Sequence, residues 1–76
     1  MNPTESTRER IAAEVRAGLA RKNMKRGELA EKLEIDRRTL ADRLNGKRPF
    51  DTDQLIAISS LLDIPFAMFF AEGDAA

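Results

Sequence analysis

The side chains best suited to chemistry in this sequence lie between residues 37 and 42, and most of them donate hydrogen bonds. Arg37 and Arg38 are adjacent, and Asp42 follows four residues after Arg38. A guanidinium matches the O6 and N7 acceptors of guanine, whereas a carboxylate accepts a hydrogen bond from the N4 amine of cytosine. Thr39 adds a hydroxyl and a methyl group that suit a phosphate oxygen or a thymine. This pattern predicts base-edge contacts by Arg37, Arg38 and Asp42.

Each of these side chains also has a plainer role. Either arginine can contact a phosphate alone, which carries no sequence information. Asp42 lies at i, i+4 from Arg38, where a helix brings the two side chains together as an ion pair worth a few tenths of a kcal/mol. The sequence leaves these alternatives open, and the two roles of Asp42 are compatible with each other.

Further polar side chains flank these positions and suit a nucleic-acid backbone. Lys25 is a poor capping residue for a helix that begins at Arg26, so the first amides of that helix stay free. They either form a frayed turn capped by water or face a phosphate together with Lys25 and Arg26. Gly27 has no side chain to block such an approach. The residues predicted to contact the backbone are Lys25, Arg26, Thr39, Arg43, Asn45, Lys47 and Arg48.

The charges are segregated along the chain, although the net charge is zero. Residues 21–48 hold ten basic and five acidic side chains, a net of +5, whereas residues 49–76 hold five acidic side chains and no basic one, a net of −5. Such asymmetry favours one face that binds an anionic polymer and one that avoids it. The alternative is a dispersed, solvated surface, because segregation in sequence is not segregation in space.

The composition argues against several other classes of protein. The absence of cysteine and histidine removes disulfides, thiolate metal sites and the commonest general base. The carboxylates lie at helical surface positions beside basic side chains, so we expect no enzyme, no cofactor and no small-molecule ligand. The longest apolar run, residues 64–71, is too short to span a bilayer, and the N-terminus lacks a signal-peptide core. We expect a cytoplasmic protein without a membrane partner.

The elements that must position these residues are helices, because the apolar residues recur at helical spacing and no strand signal is present. Ser6 with Glu9 fits a capping box, with Thr4 as a competing cap, and Asp51 with Gln54 fits a second box. The predicted helices cover residues 7–22, 26–33, 37–44, 52–62 and 66–71. The predicted fold class is all-α: one compact five-helix domain over 1–76, with a frayed start over 1–5 and a loose tail over 72–76.

Helix ends follow from residues that adopt left-handed conformations. Asn23 is expected to end the first helix, and Asn45-Gly46 the third. Asp36 is expected to cap the start of the third helix. The second and third helices with their tight turn, residues 26–45, then form a helix-turn-helix.

Segment 24–46 resembles the lambda-repressor-like helix-turn-helix family, also called Cro/C1 or XRE. The residues that carry the resemblance are Leu29-Ala30, Leu33, Ile35, Leu40, Asn45-Gly46-Lys47 and the later segment LLDI. The likeness covers about residues 11–70. It implies a five-helix DNA-binding domain whose third helix enters the major groove, with Arg37 and Arg38 at positions that reach base edges.

The sequence departs from the family pattern at three places. Glu34 stands where glycine is usual, so either a left-handed glutamate costs about 1 kcal/mol or the turn has another shape. Arg43 stands at a usually apolar position and Leu44 is apolar instead, so either the third helix is rotated or the stem of Arg43 covers the core. Lys25 replaces the usual Ser or Thr cap.

Large apolar side chains crowd the segment after Pro65. A five-residue helix cannot bury all of its sides against one small domain. Some of these residues should therefore complete the core, and the remainder should form a dimer surface like that of related repressors. The predicted dimer-interface residues are Phe66, Met68, Phe69 and Phe70.

The resemblance implies a sequence-specific regulator of transcription that binds double-stranded DNA. We expect a phage or prophage repressor that binds its operator as a homodimer and blocks polymerase. The alternative is a protein-interaction or antitoxin-like module with the same fold. The pairs Arg37-Arg38 and Lys47-Arg48 favour DNA, because an interaction module would carry apolar residues on the third helix.

Overall fold

Four α-helices and a 3₁₀ helix make up residues 3–70, the part of the chain that this computed structural model describes, with side chains from residue 7 onward. The elements are α1 (Pro3–Lys22), α2 (Arg26–Leu33), α3 (Arg37–Leu44), α4 (Thr52–Leu62) and the 3₁₀ helix (Phe66–Phe70). The all-α prediction is confirmed, and no strand occurs in residues 3–70.

The predicted count of five α-helices is wrong by one. The last segment is a 3₁₀ helix, in which the Met68 amide donates to the Pro65 carbonyl three residues earlier at 2.8 Å. Five residues are too few for a ladder of i→i+4 bonds, so the tighter i→i+3 turn is favoured. The predicted end of this helix at residue 71 and the predicted tail over 72–76 lie outside the described residues.

The start of α1 also differs from the prediction. The helix begins at Pro3, so Thr4 and Ser6 lie inside it, and the predicted capping box of Ser6 with Glu9 is wrong. Proline suits the first helical position because its missing amide would have no partner there. The frayed start predicted over residues 1–5 is therefore helical from Pro3, while residues 1 and 2 lie outside the described part.

The predicted bounds of the next three helices are confirmed, and local capping explains the starts of α3 and α4. The Asp36 carboxylate accepts a hydrogen bond from the Thr39 amide at 2.6 Å, at the start of α3. Asp51 accepts from the Gln54 amide at 2.7 Å, and the Gln54 side chain accepts from the Asp51 amide at 3.1 Å. These bonds satisfy amides that the first helical turn leaves unpaired.

Three helices end at a left-handed residue that is not glycine. Asn23, Glu34 and Asp63 have φ of 55°, 59° and 55°. In each case the amide of the next residue donates to the carbonyl five positions earlier, at 2.9–3.0 Å, which satisfies a last-turn carbonyl. Of the two alternatives for Glu34, the structure therefore has the left-handed one. α3 ends differently, because Asn45 has φ −93° and only Gly46 is left-handed, at φ 78°.

The core lies where α1 packs against α3, α4 and the 3₁₀ helix. An ideal Cβ at Gly18 would lie 2.7 Å from Cδ1 of Ile64, so α1 approaches this segment too closely for any larger residue. Leu19 and Leu44 are both buried in the central cluster. The cluster contains Val15, Leu19, Leu29, Ala30, Leu40, Leu44, Phe50, Leu55, Ile58, Leu62, Ile64 and Phe69.

Candidate nucleic-acid interface

The turn between α2 and α3 sets the angle at which α3 is presented. Leu29 and Ala30 of α2 and Leu40 of α3 are buried in one cluster, which fixes the two helices against each other. Only Leu40 and Leu44 of α3 are buried, and the other six residues of this helix are half-buried or exposed. A helix with so narrow an apolar stripe contributes little to the core and leaves most of its side chains for a partner.

The first turn of α3 carries two exposed arginines. Arg37 and Arg38 are both exposed, whereas Thr39 and Asp42 are half-buried. The amide of Thr39 donates to Asp36, and this hydrogen bond is the largest cause that holds the pKa of the Asp36 carboxyl below its usual range. The positive charge of Arg38 lowers the same pKa further. Asp36 therefore carries its negative charge at the start of α3, beside Arg38.

The middle of α3 and the following basic loop form one continuous surface. Thr39, Asp42, Arg43 and Arg48 line a single shallow depression. The Arg43 Nε donates to the Pro49 carbonyl at 3.1 Å, so its guanidinium is tied to the loop. Leu44 is fully buried and Arg43 is half-buried, an arrangement that fits both a slightly rotated third helix and an Arg43 stem that covers the core.

Two arginines of helix α1 donate hydrogen bonds to the basic loop and to the end of α3. The Arg8 Nη1 donates to the Lys47 carbonyl at 3.2 Å, and the Arg16 Nη1 donates to the Leu44 carbonyl at the end of α3. An ideal Cβ at Gly46 would lie 3.2 Å from Cγ and 3.5 Å from Cα of Glu9. The sequence analysis misses these contacts, because arginines on a helix surface give no signal of their partner.

The first turn of α2 lies beside the start of α3. Lys25 has an extended backbone and its side chain makes no capping hydrogen bond among the described residues, as the sequence predicts. The Arg37 guanidinium lies over Gly27: its Nη2, Cζ and Nε would be 2.6, 3.0 and 3.1 Å from a Cβ at that position. Arg26 and Lys25 are exposed on the same turn.

An apolar surface lies in the 3₁₀ helix. Phe69, predicted for the dimer interface, is only 1% exposed and belongs to the core instead, because it is the side of the 3₁₀ helix that faces α1 and α4. The other three predicted residues are exposed by 38%, 48% and 49%, and together form what we name the aromatic patch: Phe66, Met68 and Phe70. The rings of Phe66 and Phe70 lie 5.3 Å apart.

The described residues lack two features of other protein classes. Within them, no group of three or more Cys, His, Asp and Glu residues is placed to hold a metal ion. No helix in residues 3–70 is long and apolar enough to cross a membrane.

The comparison with known families gives one match. A family model described as Helix-turn-helix matches residues 15–69, more than half of the chain, including α2, α3 and α4. No curated protein and no solved structure matches the chain significantly. The matching family is a DNA-binding regulatory domain and is generally non-enzymatic. The chain belongs to the Cro/C1-type (XRE) helix-turn-helix family, whose members are DNA-binding regulators of transcription.

Proposed function

We propose that this protein is a sequence-specific repressor of phage or prophage type, which occupies an operator in double-stranded DNA and blocks polymerase. The observation that carries this proposal is the continuity of the outer face of α3 with the basic loop, through one depression that both elements line. A recognition helix in the major groove places its flanking loop at the phosphates, so this surface matches both parts of a duplex.

The residues of this surface divide by what they can reach. The candidates for base readout are Arg37, Arg38 and Asp42, which stand on α3. Lys47 and Arg48 are exposed in the loop and supply positive charge to the backbone. The proposed backbone contacts are Lys25, Arg26, Thr39, Arg43, Asn45, Lys47 and Arg48.

We also propose that the protein binds its operator as a homodimer through the aromatic patch. Monomeric proteins rarely leave several large apolar side chains exposed together. Phe66, Met68 and Phe70 are exposed within five residues of each other. A two-fold dimer would place one α3 in each of two successive major grooves.

A protein-interaction or antitoxin-like module remains the second candidate, because the aromatic patch would serve a different protein equally well. The two candidates differ in what they require of α3. Only the repressor needs measurable DNA affinity and a preferred sequence, whereas an interaction module needs neither.

Selection of bound duplexes from a random DNA pool tests the repressor proposal. We expect a recurrent sequence, and we expect Arg38→Ala to lose about 1–3 kcal/mol of binding free energy on it and to relax the preference at one base position. Fluorescence titrations with this sequence and with an unrelated duplex supply both numbers. If wild-type protein binds no duplex even at low salt, the interaction module takes the place of the repressor.

A further inference from the structure

The backbone conformation at residue 27 does not require a glycine. Gly46 is the one glycine in the described residues with a positive φ, so Gly27 has a conformation that alanine adopts readily. Glycine weakens a helix relative to alanine. What glycine offers at this position is space, and the space is filled by the guanidinium of Arg37.

The exposed Arg37 side chain lies against the first turn of α2. Gly27 and Arg37 line each of two neighbouring depressions, so the Arg37 side chain lies between them across the first turn of α2. On one side the lining continues with Arg26, Leu40 and Ala41. Arg37 therefore extends from α3 toward α2 instead of outward from α3. A Cβ at residue 27, only 2.6 Å from Nη2, would force the guanidinium off this position.

We infer that Gly27 is a positioning residue for Arg37, because its missing side chain lets the Arg37 guanidinium lie against α2. In that position Arg37 contacts the DNA backbone, and Arg38 is the base-reading arginine of α3. The inference rests on the proposed function, because it divides roles within a surface that binds DNA. The family match assigns no role to Gly27, and the sequence pattern assigns it only the role of leaving space for a phosphate.

The geometry of helix-turn-helix docking supports this division. The second helix of the motif enters the major groove, while the first helix crosses the phosphate backbone. A guanidinium seated on α2 is held at the rim of the groove, beside the helix that lies over the phosphates. Arg38, the next residue of α3, is exposed and lines neither of the two depressions beside Gly27. Two adjacent arginines of one helix thus face different parts of the duplex.

A double-mutant cycle tests the inference with the full chain. The variants are Gly27→Ala, Arg37→Ala and the double variant, each titrated against the selected sequence and an unrelated duplex at several salt concentrations. Loss of one phosphate contact lowers the salt slope by about 0.9 and the affinity by about fivefold near 0.15 M salt. We expect Arg37→Ala to lose this much on both duplexes, with no change in the preferred sequence.

Gly27→Ala is expected to reproduce the loss of Arg37→Ala while the melting temperature stays equal or rises, because alanine favours the helix. In the Arg37→Ala background, Gly27→Ala should cost nothing further, because its effect acts through Arg37. This combination of a retained or raised melting temperature with a lower affinity excludes misfolding as the cause. Arg21→Ala serves as the control, since it removes one exposed positive charge from the end of α1.

Three results would overturn the inference. The first is full affinity of Gly27→Ala for both duplexes. The second is an undiminished loss from Gly27→Ala when Arg37 is already alanine, which would mean that the added methyl meets the DNA directly. The third is a changed base preference in Arg37→Ala with normal binding of the unrelated duplex. Failure of the proposed function looks different, because wild-type protein would then select no sequence at all.

Discussion

The basic region (residues 21–48) and the apolar region (residues 49–70) are both built from short helices. They differ in their charge and in how many of their side chains are buried. The basic region has a net charge of +5, whereas the apolar region carries three carboxylates and no basic side chain. α3 buries only two of its eight residues, while α4 buries three and is joined in the core by Phe50, Ile64 and Phe69. The apolar region supplies six of the twelve residues of the core cluster and the basic region four, while the basic region carries the candidate DNA-binding surface.

This separation makes the basic region dependent on contacts from elsewhere. Its surface is held by α1, through hydrogen bonds from Arg8 and Arg16 to carbonyls of the loop and of α3. The apolar region also packs against α1, but through buried apolar side chains, and it leaves the aromatic patch exposed. Changes in the two regions should therefore affect different measurements.

The largest effect is expected where α3 meets the shared core. Leu44 is fully buried in the same cluster as Leu19, so Leu44→Ala should lower the free energy of unfolding by roughly 2–5 kcal/mol. Thermal denaturation should show a fall of about 10 °C or more. Ile56→Ala is the control, because Ile56 is 55% exposed and should change stability by no more than about 0.5 kcal/mol. A shift of only a degree for Leu44→Ala would mean that α3 is not anchored by this residue.

The second prediction separates association from folding in the apolar region. Phe70→Asp places a charge on the aromatic patch and should raise the dimer dissociation constant by about tenfold or more, equivalent to about 1.4 kcal/mol. Analytical ultracentrifugation over a range of concentrations measures this, and circular dichroism checks that the fold is kept. Ile56→Asp is the matched control, since it charges an exposed apolar residue of α4. A wild-type protein that stays monomeric at high concentration, with one copy per DNA site, would remove the dimer from the proposal.

The third prediction concerns the loop of the basic region. Lys47→Ala and Arg48→Ala should weaken binding of the selected and the unrelated duplex alike, by about fivefold each near 0.15 M salt, and lower the salt slope by about one unit. Arg38→Ala should differ by losing affinity mainly for the selected sequence. If all three variants lose the same affinity for both duplexes, α3 binds DNA through its charge alone and does not read the base sequence.

Local sequence signals predicted much of this architecture because helix caps act over about three positions. Asp36, and Asp51 with Gln54, define the starts of α3 and α4 through bonds to amides three residues away. The start of α1 was the exception, since Pro3 and the Ser6 pattern are competing local signals and the sequence cannot rank them. The sequence thus predicted the caps of the helix-turn-helix, and it predicted the left-handed turn as one of two alternatives.

The partners of the long side chains could not be predicted from the sequence. Arg8 bonds to a carbonyl 39 residues away and Arg16 to one 28 residues away, so only the packing of α1 on α3 brings these groups together. An arginine has several rotatable bonds, and its final position depends on the space that neighbours leave. The seating of Arg37 on Gly27 illustrates this, because neither residue predicts the other from the sequence. The split between core and surface among the aromatic residues has the same origin.

The smallest effect is expected from one aspartate in each region, and it appears only in acid. The amide of Thr39 lowers the pKa of Asp36, and the side chain of Lys22 lowers the pKa of Asp63. A carboxyl whose pKa is lower in the folded chain contributes stability above its unfolded value, near pH 4, and loses that contribution as the pH falls through the folded value. The melting temperature should therefore be flat from about pH 5 upward and decline in more acidic solution.

Salt distinguishes the two aspartates, because the causes of their low pKa differ. The Asp63 shift depends on an exposed ion pair with Lys22, so about 1 M salt should abolish most of it. The Asp36 shift depends chiefly on a short-range hydrogen bond from a backbone amide, so it should survive salt. Carboxyl titration by NMR at low and high salt measures both shifts, and thermal denaturation of Asp36→Asn, Asp63→Asn and the control Asp53→Asn assigns the acid decline. Equal salt sensitivity of Asp36 and Asp63 would show that the cap of α3 is held by surface charge, and the two aspartates would no longer differ in how they stabilise the fold.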